Sequence, residues 1–121
     1  MTKVLVVEDN PLNMELVVEI LNSQGFVVDG AKDGEEAIQK AGKEVYDLII
    51  MDIGLPGMNG VEATKIIRSK PGYKSKPVIA LTAFAMKGDR ERLLKDGFDA
   101  YVPKPIDLAE FVKVIDKYGI K

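Results

Sequence analysis

Four short apolar runs in this chain each stop on polar residues: VLVV on Glu8 and Asp9, LIIM on Asp52, VIAL on Thr82, and AYVP on Lys104. Parallel strands lie side by side and their C-terminal ends open into one shared crevice. Carboxylates, a hydroxyl and an ammonium are therefore placed to meet. The runs are continuously apolar, as expected for strands with helices on both faces. Between them the pattern switches to helical periodicity, and this alternation points to βα units around a parallel sheet.

The helix starts are written in caps. Asn10 precedes Pro11, and Met14, Val17, Val18 and Leu21 follow as one helical face before Gly25. Asp33 with Glu36, Asn59 with Glu62, and Asp107 with Glu110 place a cap residue three positions before a Glu, the pattern of the capping box. Helices two, three and five start there, the last with Leu108, Phe111, Val112 and Ile115 as its inward stripe. A fourth helix, from Ala85 to Asp96, offers mainly Met86, Leu93 and Leu94 among many charges and is weakly anchored. SKPGYKSK, Ser69 to Lys76, reads as a surface loop. Five strands remain: Lys3 to Glu8, Phe26 to Gly30, Leu48 to Asp52, Val78 to Thr82 and Ala100 to Pro103. The right-handed crossover rule then leaves a doubly wound, flavodoxin-like α/β sheet, for which strand order 2-1-3-4-5 is the most familiar five-strand solution.

At 121 residues the chain suits one domain spanning 1–121. A net charge of -2 lacks the Lys and Arg excess of a dedicated nucleic-acid binder. No apolar run reaches membrane-span length and the N-terminus has no signal-peptide pattern, so the expected address is the cytoplasm, without membrane association. Cys and His are both absent, which removes thiol nucleophiles, imidazole bases and ordinary zinc sites. Chemistry must use carboxylate, hydroxyl, amine and backbone, and these favour hard cations such as Mg²⁺.

Asp52, between LIIM and the turn-rich IGLPGMNG, should sit at the crevice floor. Taken alone it reads equally as the start of a turn. Glu8 and Asp9 resist ionising together unless a cation offsets them; a divalent ion held by Asp9 and Asp52, with Glu8 acting through water, resolves that. Thr82, alone an ordinary strand end, offers a hydroxyl to an anionic oxygen, and Ala83 leaves space beside it. Lys104, between Pro103 and Pro105, is aimed where a surface lysine is usually free. Jointly the set reads as machinery for phosphoryl transfer to a carboxylate, a reaction that depends on positioning and on neutralising the equatorial oxygens.

VLVVEDN, DLIIMDIGLPGMNG, VIALTA and YVPKP, in that order and spacing, resemble the receiver domain of two-component response regulators from Lys3 to about Tyr118. The resemblance implies the same 2-1-3-4-5 order. It makes Asp52 the phosphoacceptor; Glu8, Asp9, Asp52 and the Gly54 backbone carbonyl the ligands of Mg²⁺ (or Mn²⁺); and Thr82 and Lys104 the phosphoryl-binding pair. The Lys104 to Pro105 bond is expected to be cis, and Tyr101 to be the aromatic that changes rotamer with Thr82. The positions that tune acyl-phosphate lifetime in the family hold Gly54 and Phe84 here, and DNPLN looks most like stand-alone or hybrid-kinase receivers. A phosphohistidine on a histidine kinase or phosphotransfer protein is the implied donor, and a target protein at the face of helix four, strand five and helix five the implied output.

Three rivals share parts of this inventory. An aspartyl-phosphate hydrolase typically has a second Asp where this chain has Gly54. A flavodoxin-like cofactor binder needs a hydroxyl-rich loop where it has Glu8 and Asp9. A pseudo-receiver interaction module would not require Asp52, Thr82 and Lys104 together.

Overall fold

The structure, a computed structural model, describes residues 2–83 and 87–118. In chain order the elements are β1 (Lys3–Val7), α1 (Pro11–Ser23), β2 (Val27–Ala31), α2 (Gly34–Lys43), β3 (Leu48–Asp52), α3 (Gly60–Arg68), β4 (Val78–Thr82), α4 (Lys87–Lys95), β5 (Ala100–Pro103) and α5 (Leu108–Tyr118). All strand pairs are parallel and the sheet order is β2-β1-β3-β4-β5, the order expected.

Alternation along the strands divides the core into two layers. Val4, Val6, Ile50 and Leu81 pack with Val17 and Leu21 of α1 and Phe111 and Ile115 of α5. Leu5, Val7, Met51 and Ala80 face the other way, against Ala37 of α2, Ala63 and Ile67 of α3, and Leu93 of α4. The central strands β3 and β4 are buried throughout, which is why they read as unbroken apolar runs.

The caps form as their residue types dictate. Asn10 Oδ1 accepts from the N–H groups of Leu12 and Asn13. Asp33, Asn59 and Asp107 accept from the N–H groups of Glu36, Glu62 and Glu110 at 2.8, 2.9 and 3.0 Å. The return arm of the capping box is redirected: Glu36 accepts from Lys32 N–H and Glu62 from the Asn59 side chain. These helices therefore start on one strong cap bond each.

Several boundaries differ from the sequence reading. β2 starts at Val27 because Phe26 belongs to the end of α1: its N–H bonds back to Leu21 O while Gly25, at φ 89, donates to Asn22 O. That is a Schellman stop, which consumes the backbone group a strand would use. β1 ends at Val7, although Glu8 N–H still reaches Ala31 O at 3.0 Å. Leu108, the first residue of α5, is 60% exposed and does not belong to the inward stripe, which Phe111 and Ile115 carry with Val112 packed beside them. Phe84, Ala85 and Met86 lie outside the described residues. The Ser69 to Lys76 segment is a string of turns, as expected, yet Tyr73 within it is fully buried. Its hydroxyl donates to the carbonyls of Ala41 and Glu44, at 3.1 and 2.8 Å, and accepts from Tyr46 N–H at 3.0 Å.

Candidate functional site

The strand ends converge as the apolar runs imply. Glu8, Asp9, Asp52, Thr82 and Lys104 line one pocket of about 300 Å³ at the C-terminal edge of the sheet. Backbone bonds past the strands fix their relative heights: Ile53 N–H to Leu81 O at 3.0 Å, and Lys104 N–H to Thr82 O at 2.8 Å. Gly60 packs directly on the Asp52 backbone, where a Cβ would come within 3.0 Å of the Asp52 carbonyl carbon and the Ile53 Cα. Its N–H donates to Ile53 O at 3.2 Å, so the start of α3 clamps the Asp52 turn. The Lys104–Pro105 peptide is cis, which agrees with the expectation from the resemblance.

Burial separates the acidic residues. Glu8 is 1%, Asp52 3% and Thr82 2% exposed, whereas Asp9 faces solvent. Lys104 Nζ lies 3.0 Å from Asp52 Oδ2 and 3.1 Å from Glu8 Oε1, so one ammonium offsets two buried carboxyl groups. The other Asp52 oxygen, Oδ1, accepts from Gly54 N–H at 3.0 Å, and Glu8 Oε2 accepts from Asn10 N–H at 3.2 Å. Glu8 Oε1 has no aligned hydrogen bond despite its distance to Lys104; that contact is ionic attraction without a directed N–H, and the oxygen keeps acceptor capacity.

These contacts set the charge states. Burial pushes the Glu8 carboxyl up to about 7, and its hydrogen bond with Asp52 pushes the same way. Burial also presses upward on Asp52, but bonds from Glu8, Lys104 and the Gly54 N–H outweigh it and hold that carboxyl below its ordinary value. For Lys104, burial acts downward and its close contacts with the Asp52 and Glu8 carboxyl groups more than compensate, leaving the ammonium more firmly protonated. Asp52 is therefore the more readily ionised member of the pair, and Glu8 the one that keeps its proton to higher pH.

Glu8, Asp9 and Asp52 each present a carboxylate oxygen, all within 4.8 Å of one another. A set made only of oxygen donors, with one solvent-facing member and one under-used buried oxygen, suits a hard divalent cation. Thr82 closes the pocket from β4, and Ala83 beside it adds only a methyl group. Tyr101 stands apart: it is half-buried on β5, opposite Ala80 in the ladder, and lines a second cavity of about 350 Å³ with Leu94, Lys113, Val114 and Tyr118. Its place between α4 and α5 is the face anticipated for a target.

Asn13 also lines the Asp52 pocket, and sequence reading missed it. The available signal was spacing: three positions after the Asn10 cap, it shares that residue's face of α1. Phe84, expected to tune the pocket, lies outside the described residues.

Residues 4–116 match the model of the response regulator receiver domain. The chain is similar to the polar-differentiation response regulator DivK of Brucella ovis, at 44% identity over 119 residues that cover 98% of this chain and 97% of that protein. The receiver domain of sensor histidine kinase PA1611 from Pseudomonas aeruginosa PAO1, crystallised with magnesium ion coordinated in the active site cleft, superposes with a TM-score of 0.87 at 38% identity, over 97% of this chain and 96% of that one. A chain in the co-crystal of the Saccharomyces cerevisiae histidine phosphotransfer signaling protein Ypd1 and the receiver domain of its downstream response regulator Ssk1 superposes with a TM-score of 0.86 at 32% identity, over 98% of this chain and 88% of that one.

Proposed function

Because the chain belongs to the response regulator receiver domain family, whose members are switch domains of two-component signalling, we propose that residues 1–121 act as a single phosphoacceptor domain with Asp52 as the nucleophile. The observation that carries this is the Asp52 carboxylate: buried, ionised and gripped at both oxygens, by Lys104 at 3.0 Å and by the Gly54 N–H at 3.0 Å. In loading, an Asp52 oxygen attacks phosphorus as the bond from phosphorus to the donor nitrogen breaks, and the electron pair leaves with the donor imidazole. Having no histidine, the chain takes its phosphoryl group from a histidine kinase or a phosphotransfer protein, the class of partner present in the yeast co-crystal.

Glu8, Asp9, Asp52 and the Gly54 carbonyl would hold Mg²⁺ (or Mn²⁺), which when bound supplies positive charge against the phosphoryl oxygens. Thr82 and Lys104 are the protein's own partners for those oxygens. Lys104, already protonated and within reach of Asp52, shifts from carboxylate to phosphoryl oxygen with little movement. The reaction adds about -1.5 to -2 charge to a buried site. We read the response as a pull on Thr82 that lets Tyr101 turn inward and changes the face of α4, β5 and α5, where a target protein binds. That makes the chain a switch that assists its own phosphorylation and dephosphorylation, with no role for nucleic acid or membrane. Among the described residues no helix is long and apolar enough to cross a membrane; the cytoplasmic address is part of this proposal.

Incubation with Mg²⁺ and a small acyl-phosphate donor, followed by intact-mass measurement, tests this. A single phosphoryl adduct on the wild type that is absent from Asp52→Asn is expected. An adduct of equal yield on the variant assigns the nucleophile elsewhere.

A further inference from the structure

We infer that Asn13 positions the water that hydrolyses the acyl phosphate on Asp52, and so sets how long the phosphorylated state lasts. This rests on the reading of Asp52 as the phosphoacceptor.

The pocket needs a group for this task, and several of its other members are tied up or bring no polar side chain. Asp9 and Thr82 serve the cation and the phosphoryl oxygens in the proposed reading. Water attacks phosphorus in line with the departing Asp52 oxygen, so it must be held toward the mouth, away from the pocket floor. Asn10 spends its side-chain oxygen on capping α1. Lys104 and Glu8 are tied into the ion-paired floor. Gly54 has no side chain, and Ala83 offers only a methyl group.

Asn13 is half-buried in the first turn of α1 and lines this pocket. Its backbone N–H is used by the Asn10 cap at 3.1 Å. Its carboxamide makes no hydrogen bond among the described residues, so an acceptor oxygen and two N–H donors are available. The helix is fixed beneath it by Pro11 at the first position and by buried Val17, Ile20 and Leu21. A neutral amide on a rigid helix end can orient water without adding charge to an already acidic site.

In the step itself the water oxygen bonds to phosphorus. The bond from phosphorus to the Asp52 oxygen breaks, and its electron pair returns to the carboxylate. Both water protons depart with dihydrogen phosphate. Asn13 accepts a hydrogen bond from the water through Oδ1 and exchanges no proton.

The test follows the decay of protein phosphorylated with Mg²⁺ and acetyl phosphate and then freed of donor, by intact mass against time. Asn13→Leu keeps the side-chain volume and removes the amide, whereas Asn13→Ala opens the space. Both variants are expected to lose the phosphoryl group at least fivefold more slowly than wild type, with the melting temperature unchanged. Decay at the wild-type rate in both variants overturns the inference, as does faster decay in Asn13→Ala with slower decay in Asn13→Leu, which is the signature of a steric shield. Failure of the phosphoacceptor reading is distinct, because the wild type would then carry no Asp52-dependent adduct to follow.

Discussion

A buried carboxyl that titrates near neutrality makes Mg²⁺ uptake at this site a function of pH. Burial and its bond with Asp52 push Glu8 up to about 7. Its neighbours do not titrate in that range, since Asp52 lies below its ordinary value and Lys104 above its own. Glu8 must lose its proton for the acidic cluster to carry full charge, and the proton leaves as pH rises, so affinity rises with pH. With a value near 7, about a tenth of Glu8 is ionised at pH 6 and about nine-tenths at pH 8, so the Mg²⁺ dissociation constant should fall roughly tenfold over that interval. Isothermal titration at constant ionic strength measures it, since salt also screens the solvent-facing Asp9. Glu8→Gln removes the titrating group, and its weaker binding should be flat with pH. A change of less than twofold in the wild type would refute the argument by showing that Glu8 is ionised throughout. A slope that survives in Glu8→Gln would place the titrating group elsewhere.

Gly60→Ala tests the clamp under Asp52. A Cβ there would overlap the Asp52 carbonyl oxygen outright and meet the Asp52 carbonyl carbon and the Ile53 Cα at 3.0 Å, so the turn must shift by roughly an ångström to restore ordinary contact. A cost of about 2–4 kcal/mol follows from forced repacking of this kind. That lowers the melting temperature by about 10 °C for a chain of this size, with slower loading of Asp52; unchanged melting would show that the turn yields freely. Tyr73→Phe makes the contrasting case at the opposite end of the sheet. It strips a hydroxyl from two carbonyls and one N–H and should cost about 1–3 kcal/mol without altering loading. Thermal melting and the phosphorylation rate, measured together, check it, and a loading defect would mean that the two ends of the sheet are coupled.

Why some of this was legible and some was not follows from the range of the interactions involved. The apolar runs name the strands because a central parallel strand must be apolar on both faces, and the same requirement places the next polar residue at the edge of the core. Asp52 and Thr82 follow directly from that logic. Asn10, Asp33, Asn59 and Asp107 were readable because a cap bond spans two or three residues. Tyr73 was not, since its partners lie about thirty residues away in α2 and in the segment that leads from it into β3, and its own neighbourhood is mostly turn formers. Leu108 failed for the converse reason: periodicity assigns a residue to a helix face but does not say how far along the helix the core extends.

Glu8 and Asp9 mark the limit most sharply, because in the sequence they are two adjacent acids of equal standing. The ladder separates them. Glu8 still donates its N–H to Ala31 O and turns its carboxyl inward, where Asn10 N–H and Lys104 receive it, while Asp9, one step further, faces solvent. The first carboxyl is thus buried against Lys104, and the second is the accessible arm of the acidic cluster. On the proposed reading a cation would meet the solvent-facing Asp9 before the buried Glu8. Division of labour between neighbouring acids thus arises from a backbone bond that neither side chain makes.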